Sequence, residues 1–265
     1  MNEIKVEIVA DSINQQGDRL ISIKAICDNK TLKTLLNEHK NLNITYTDID
    51  LIETDTVIGS IETNPFIPIA WKREYKSMQG TEYYELQGSI NKRNSYWLNA
   101  RDEAIKWATI LQESDTTKQL CNRLLEPFMW TTMLITGSKE GWNNFFSLRM
   151  HEYHLENIPT VNEDLSLNSK TLTLIGKSKK ELLKQINEID NDSYIGFKNI
   201  VNSYSDLDWL KINKGQAEIH MMMLSEKIYD AIQESVPKKL KEGEWHRTYN
   251  VNGEYKSELL GEEVL

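Results

Sequence analysis

Hydrophobic and polar residues alternate from the first positions of the chain. Ile4, Val6 and Ile8 are separated by Lys5 and Glu7, the two-residue period of a strand with one buried face. Residues 20–26, LISIKAI, predict a second strand, joined to the first through the polar turn Asn14-Gln15-Gln16-Gly17-Asp18. The period lengthens from Thr31 to Lys40, where Leu32, Leu35 and Leu36 fall on the inner side of a short helix. From Asn41 to Ile61 the chain turns to Ile, Thr, Val and Asp, which predicts β structure up to the turn signal Asn64-Pro65. Phe66 to Trp71 is another short apolar run. The first part of the chain therefore predicts mostly sheet.

The second half changes period. Trp97, Ala100, Ala104, Trp107, Ala108 and Leu111 recur at helical spacing and predict an amphipathic helix over residues 95–113. Ser114 to Thr117 supply turn and N-cap chemistry for a helix that starts near Lys118. Pro127 cannot donate to the carbonyl of Arg123, so a kink is expected just past Arg123. Residues 139–149 predict a further helix with Trp142, Phe145, Phe146 and Leu148 mostly packed. Met221 to Ile232 belong to the last long helix, and its Met221-Met222-Met223 run reads as core filling. Two more helices are predicted at 178–188 and 193–204, within a polar stretch. The expected class is α/β in the α+β sense, an N-terminal sheet packed with long C-terminal helices.

Composition narrows the function. The 265 residues carry a formal net charge of −9, which argues against a phosphate-backbone binder with its basic face. No direct nucleic-acid contact is expected, whereas a mononucleotide site needs only a few local cations. Cys27 and Cys121 lie far apart with no metal-ligand spacing, which points to a reducing compartment. Cys121 reads as a buried thiol, with a nucleophile as the alternative. No signal-like or membrane-length apolar run is present, so a cytoplasmic protein without a membrane partner is expected.

The stretch from Asn122 to Arg149, NRLLEPFMWTTMLITGSKEGWNNFFSLR, followed by Gln216-Ala217-Glu218-Ile219, resembles the second half of flavin-dependent thymidylate synthases, the ThyX family. That pattern runs N-R-x-x-x-P, a helix of mixed aromatic and polar residues, N-F-x-x-L-R and then A-Q-x-E-I. Asn122, Arg123, Pro127, Asn144, Phe145, Leu148, Arg149, Gln216, Glu218 and Ile219 fill those places. The N-terminal half is similar to longer ThyX-like proteins of phages. The strand Lys5 to Ser12, the run Asn64-Pro65-Phe66-Ile67-Pro68-Ile69, the segment Ser77-Met78-Gln79-Gly80 and Leu240 to His246 all have counterparts there. Residues 1–151 and 214–265 thus correspond to a ThyX-like catalytic-type domain. Residues 152–213, where the family has a short loop, read as an inserted helical subdomain, either a solvated decoration or a lid.

Enzymes of that family move a one-carbon unit to C5 of dUMP through a flavin. The resemblance therefore implies FAD, methylenetetrahydrofolate and NADPH, a pyrimidine deoxynucleotide substrate, and a homotetramer in a bacterial or phage-infected host cytoplasm. It implies Arg123, Arg149, Ser77 and Gln79 at the nucleotide, since guanidinium forks match phosphate and pyrimidine oxygens. It implies His39, Lys40, Asn144 and Gln216 at the flavin, and no metal ligand or covalent catalyst is assigned. The alternative for both arginines is an intrachain ion pair, with Glu126 or Glu140 as partner.

The family's R-H-R or T-H-R motif, with its later serine and arginine, falls on Glu38-His39-Lys40, Asp48 and Asp50. An aspartate in place of a phosphate-facing arginine sets an anion against an anion, at a cost on the order of a kcal/mol. Three functions follow: a flavin-dependent enzyme acting at C5 of a pyrimidine deoxynucleotide, a catalytically inactive ThyX-like pseudoenzyme or subunit, or a nucleotide binder without chemistry.

Overall fold

The computed structural model describes residues 3–74, 82–161, 167–188, 195–212, 217–251 and 254–260. Strands β1 (Lys5–Ile13) and β2 (Arg19–Asp28) pair antiparallel, with Val6 opposite Ala25 and Ile8 opposite Ile23. Gly17, at φ +90°, supplies the left-handed position that their turn requires. Helix α1 (Asn29–Glu38) follows at once, because the Asp28 carboxylate caps it by accepting from the Thr31 amide at 3.1 Å and hydroxyl at 2.6 Å. Leu32 and Leu35 are buried as expected.

The β structure expected to Ile61 stops early. Only β3 (Asn43–Tyr46) forms. A 3-10 turn at Ile49–Leu51 and helix α2 (Thr54–Thr63) take the rest. Thr54, Val57 and Ile61 sit three and four residues apart and are all buried, a helical period that the local β-branched composition masks. The first part of the chain is accordingly mixed rather than mostly sheet.

Helix α3 (Gln87–Glu113) is longer than its sequence period indicated, and α4 (Lys118–Leu125) follows it. Pro127 does not kink a continuing helix. The α-helix ends at Leu125 and a 3-10 turn, Glu126–Phe128, holds the proline. Beyond it the mixed aromatic and polar segment, a helix in the family pattern, is strand β4 (Trp130–Ser138). Thr131, Thr132, Ile135 and Thr136 favour the pleat, and β4 pairs with β2 along its whole length.

The main sheet has the order β3-β4-β2-β1-β7, where β7 (Lys238–Lys239) adds to β1 in parallel. Ile21, Ile23, Ala25 and Cys27 of β2 and Met133 and Ile135 of β4 face one core. Leu32 and Leu35 of α1, Trp142, Phe145 and Phe146 of α5 (Lys139–Arg149), and Met221, Leu224 and Ile228 of α9 (Ile219–Glu234) fill it. The methionines are thus core filling, as their spacing implied. A second cluster joins α2, α3 and α4 through Val57, Ile61, Ala108, Cys121 and Leu125. Cys121 is buried there, its thiol 3.6 Å from the Thr116 carbonyl, and the buried Cys27 thiol is pushed well up by desolvation. A C-terminal hairpin, β8 (Trp245–Val251) and β9 (Glu254–Leu260), is tied to β1 by Ser12 Oγ and His246 Nδ1 at 2.6 Å.

The segment 152–213, expected as a helical insertion, is not purely helical. It opens with the hairpin β5 (Tyr153–Val161) and β6 (Leu167–Gly176), and α6 (Lys179–Glu188), α7 (Ile195–Ser203) and α8 (Asp206–Ile212) follow. Tyr153, Leu174, Leu182, Ile186, Val201 and Trp209 make a core of its own. It is nonetheless fastened to α9. The Tyr153 hydroxyl donates to Glu226, Ser178 to Asp230 at 2.5 Å, and Tyr229 to Glu181 at 3.0 Å.

Candidate functional site

Helix α5 is built to deliver Arg149 to the edge of the main core. Ser138 caps it by accepting from the Gly141 amide at 3.2 Å. Gly141 admits no side chain, since a Cβ there would stand 2.8 Å from the Asn41 carbonyl. Trp142, Phe145 and Phe146 point into the core, and Arg149 lies one turn beyond them on the same side. Leu148, expected to pack, is exposed because it falls between those positions on the helix.

Helix α1 brings the other half. It ends at His39, whose amide donates to the Leu35 carbonyl at 3.1 Å and which is only 2% exposed. The His39 ring packs edge-on against Phe145 at 5.0 Å. Arg149 Nε donates to His39 Nε2 at 2.7 Å, and Arg149 Nη2 donates to the Glu38 carboxylate. Glu38 and His39 at the end of α1 and Arg149 at the end of α5, 110 positions apart in the His39–Arg149 pair, therefore meet in space.

The bond fixes the histidine's state. Because Nε2 accepts from an arginine that is always charged, the ring proton belongs on Nδ1. Nδ1 is itself buried and has no partner among the described residues. Burial, and then the Arg149 charge, lower the His39 pKa and hold the ring neutral. The Arg149 hydrogen bond pulls the Glu38 carboxyl below its ordinary range. Arg149 thus has its Nε spent on orientation and its Nη2 on an exposed carboxylate, which an incoming anion could displace.

Other predicted residues stand apart from this pair. Lys40 is exposed and folds back to donate to the Leu36 carbonyl at 2.6 Å. Asn144 is exposed on α5, and its carbonyl accepts from Ser147 at 2.8 Å. Arg123 is exposed on α4 with no hydrogen-bond or ion-pair partner among the described residues. Ser77, Gln79 and Gln216 lie outside the described residues. Neither carboxylate named as an ion-pair partner holds an arginine: Glu126 pairs with Lys33 at 2.8 Å, and Arg149 takes Glu38 instead. For a flavin the fit is divided. Lys40 and Asn144 are exposed, whereas His39 is covered and accepts from Arg149 Nε.

Two motif residues have structural work. Asn122 is fully buried and donates to the Ile49 and Ile52 carbonyls, each at 2.9 Å, which pins the 3-10 turn to α4. Asp48 caps that turn by accepting from the Asp50 amide at 3.0 Å. It also lines a cleft of about 300 Å³ with Tyr46, Thr131, Asn250 and Tyr255.

Sequence reasoning passed over one further constellation. Glu218 caps α9 and accepts from the His220 amide at 2.9 Å and from its Nδ1 at 2.6 Å, while His220 Nε2 accepts from the Ile69 amide at 3.1 Å. Burial alone would raise the Glu218 carboxyl, but the His220 bonds outweigh it and hold it low. Both ring nitrogens are spent, so His220 latches residues 66–69 to α9. The E-x-H spacing at a helix start was the available signal. Among the described residues no group of His, Cys, Asp and Glu is arranged to hold a metal, and no helix is long and apolar enough to cross a membrane.

No family model matches the chain, and no curated protein matches it. Two solved structures of the UMP/dUMP methylase PolB from Streptomyces cacaoi are similar in part. The one bound with 5-Br UMP has a TM-score of 0.46 and 13% identity, over 57% of this chain and 79% of that chain. The one bound with 5-Br dUMP has a TM-score of 0.44 and 11% identity, over 57% and 80%. At that degree of superposition the likeness assigns no chemistry to this chain.

Proposed function

We propose that the chain is a flavin-dependent thymidylate synthase-like protein that holds a pyrimidine deoxynucleotide through Arg149 and acts at its C5 position. The observation that carries this is the contact of Arg149 with His39. Two residues matched to separate family motifs converge, and the histidine fixes the guanidinium at Nε. A guanidinium fixed at Nε, whose Nη2 contact with the exposed Glu38 carboxylate an anion would have to displace, suits a phosphate or a pyrimidine carbonyl. FAD would lie against Lys40 and Asn144 and, when bound, would supply the electrons for transfer of a one-carbon unit from methylenetetrahydrofolate, with NADPH as reductant. Arg123 is free to contribute a second cation. The oligomer implied by the resemblance would let another protomer complete the site.

A second function, an inactive ThyX-like subunit, is favoured by Glu38, which occupies Arg149, and by the carboxylates at 48 and 50. The absorption spectrum of freshly purified protein, with added FAD, tests the proposal together with titration by dUMP. Flavin retention and dUMP binding support it. Binding of dUMP without flavin or turnover supports the inactive subunit, and binding of neither overturns both.

A further inference from the structure

Residues 71–73 and 82–84 pair as a short antiparallel ribbon. Lys72 stands opposite Tyr83, the Arg73 amide donates to the Glu82 carbonyl at 2.8 Å, and the Tyr84 amide donates to the Trp71 carbonyl at 2.9 Å. Trp71 Nε1 donates to Asn94 Oδ1 at 2.7 Å, which ties the ribbon to the N-terminal part of α3. This arrangement sets two guanidiniums on one ring. Arg93 Cζ lies 3.2 Å from the centroid of Tyr84, and Arg73 Cζ lies 5.0 Å from it. Each cation is attracted by the ring, but the two repel each other. Among the described residues neither guanidinium has a carboxylate partner. The flanking stretches 75–81 and 213–216, outside the described residues, contain no Asp or Glu.

The donors of these arginines are largely unspent. Arg93 Nη1 donates to the Ser89 carbonyl at 2.9 Å, which leaves its Nε and Nη2, and Arg73 has no side-chain hydrogen-bond partner among the described residues. A guanidinium that meets a ring with its face keeps its N–H donors at its edge, where the fork of two such groups fits the oxygens of one phosphate. Arg73, Tyr84 and Ser89 line a cleft of about 530 Å³, and Lys211 and Ile212 of α8 form another of its walls. Glu82 and Glu85 line it too, both exposed, and Lys211 pairs with Asp208 at 3.2 Å. Across the whole cleft the charges cancel, so a polyanion such as nucleic acid finds no favourable field there. The positive charge is concentrated at the two arginines on Tyr84, which suits a single small anion.

We infer that Arg73 and Arg93 bind a phosphate group at this cleft, free or as the monoester of a small molecule. The cleft shares no residue with Glu38, His39 and Arg149, so the inference stands whether or not a nucleotide binds there. Titration of the isotope-labelled full chain with inorganic phosphate and with ribose 5-phosphate, followed by the arginine Nε–H resonances, tests it, with ribose as the uncharged control. Two resonances, identified by their loss in Arg73→Gln and in Arg93→Gln, should shift together and saturate on one curve with one or both phosphates, and stay still with ribose. Each substitution should weaken the response of the remaining arginine about tenfold. Both responses should persist in Arg149→Ala, which separates this cleft from the proposed nucleotide site. Arg73→Gln replaces an exposed side chain and tests the site even where Arg93→Gln unfolds the protein. Resonances that move with neither phosphate, that move equally with ribose, or that stop moving in Arg149→Ala would overturn the inference.

Discussion

Arg149 Nε donates to His39 Nε2 at 2.7 Å, so a buried neutral histidine at the end of one helix sets the direction of a guanidinium at the end of another. His39→Ala would remove the acceptor and leave a part-buried Nε–H unpaired. It should cost ~1–3 kcal/mol of stability and weaken nucleotide binding, while His39→Gln keeps an acceptor and recovers part of both. Thermal melts beside calorimetric titrations would separate the two effects.

The same bond makes the pair sensitive to acid. The His39 pKa is depressed below its ordinary value of 6.5, so the unfolded chain takes up the proton first as pH falls. Its stabilising contribution is complete above 6.5 and declines as pH drops toward and through the folded value. Melting temperatures from about pH 7 to about pH 5 should fall more steeply in the wild type than in His39→Gln. Parallel curves would mean that His39 titrates normally.

Glu38 competes with any anion that approaches Arg149. Glu38→Gln removes the competing charge, and because Glu38 is exposed the fold should tolerate it. Binding of dUMP should tighten about tenfold, an expectation from the strength of charge-assisted hydrogen bonds. Unchanged affinity would show that the phosphate goes elsewhere.

Asp48 and Asp50 offer a gain-of-function test. Asp48→Ser keeps a side-chain oxygen to cap the 3-10 turn, and Asp50→Arg exchanges a negative charge for a positive one. The double variant should bind dUMP more tightly than the wild type if this turn faces the nucleotide, and calorimetry reads the difference.

The packed face of α5 was legible from helical spacing, whereas Arg149 and His39 were singled out only by the family resemblance. Trp142, Phe145 and Phe146 announce that face. The partner of Arg149 was not legible. Glu38 becomes its neighbour only when α1 and α5 end side by side, a tertiary fact with no local signal. Around Thr54, Val57 and Ile61 the β-branched composition masks the helical period. Over residues 130–138 the family pattern implies helix, whereas the alternation of Met133 and Ile135 belongs to a strand. The hairpin at the start of the insertion escaped because its strands lie in a polar stretch.

The insertion should be separable. Tyr153 and Trp209, near its two ends, pack at 5.3 Å between rings, so a short linker can span the gap. Replacing residues 152–213 with Gly and Ser should leave a folded protein, because the main sheet contains none of them. The deletion exposes Glu226, whose pKa is pushed up to about 8 by burial in the full chain. In the full chain this group stabilises most below its ordinary value and loses that contribution as pH rises through 8. Glu226→Gln should flatten that decline between the ordinary value of 4.5 and about 8, and an insoluble deletion would place the segment in the core.

Calorimetric titration of dUMP into the wild-type chain and into Arg149→Ala tests the central claim most directly. The account predicts saturable binding that the substitution weakens by ~2–4 kcal/mol, with both proteins folded. Equal affinity in the two proteins, or no binding to the wild type, would contradict it.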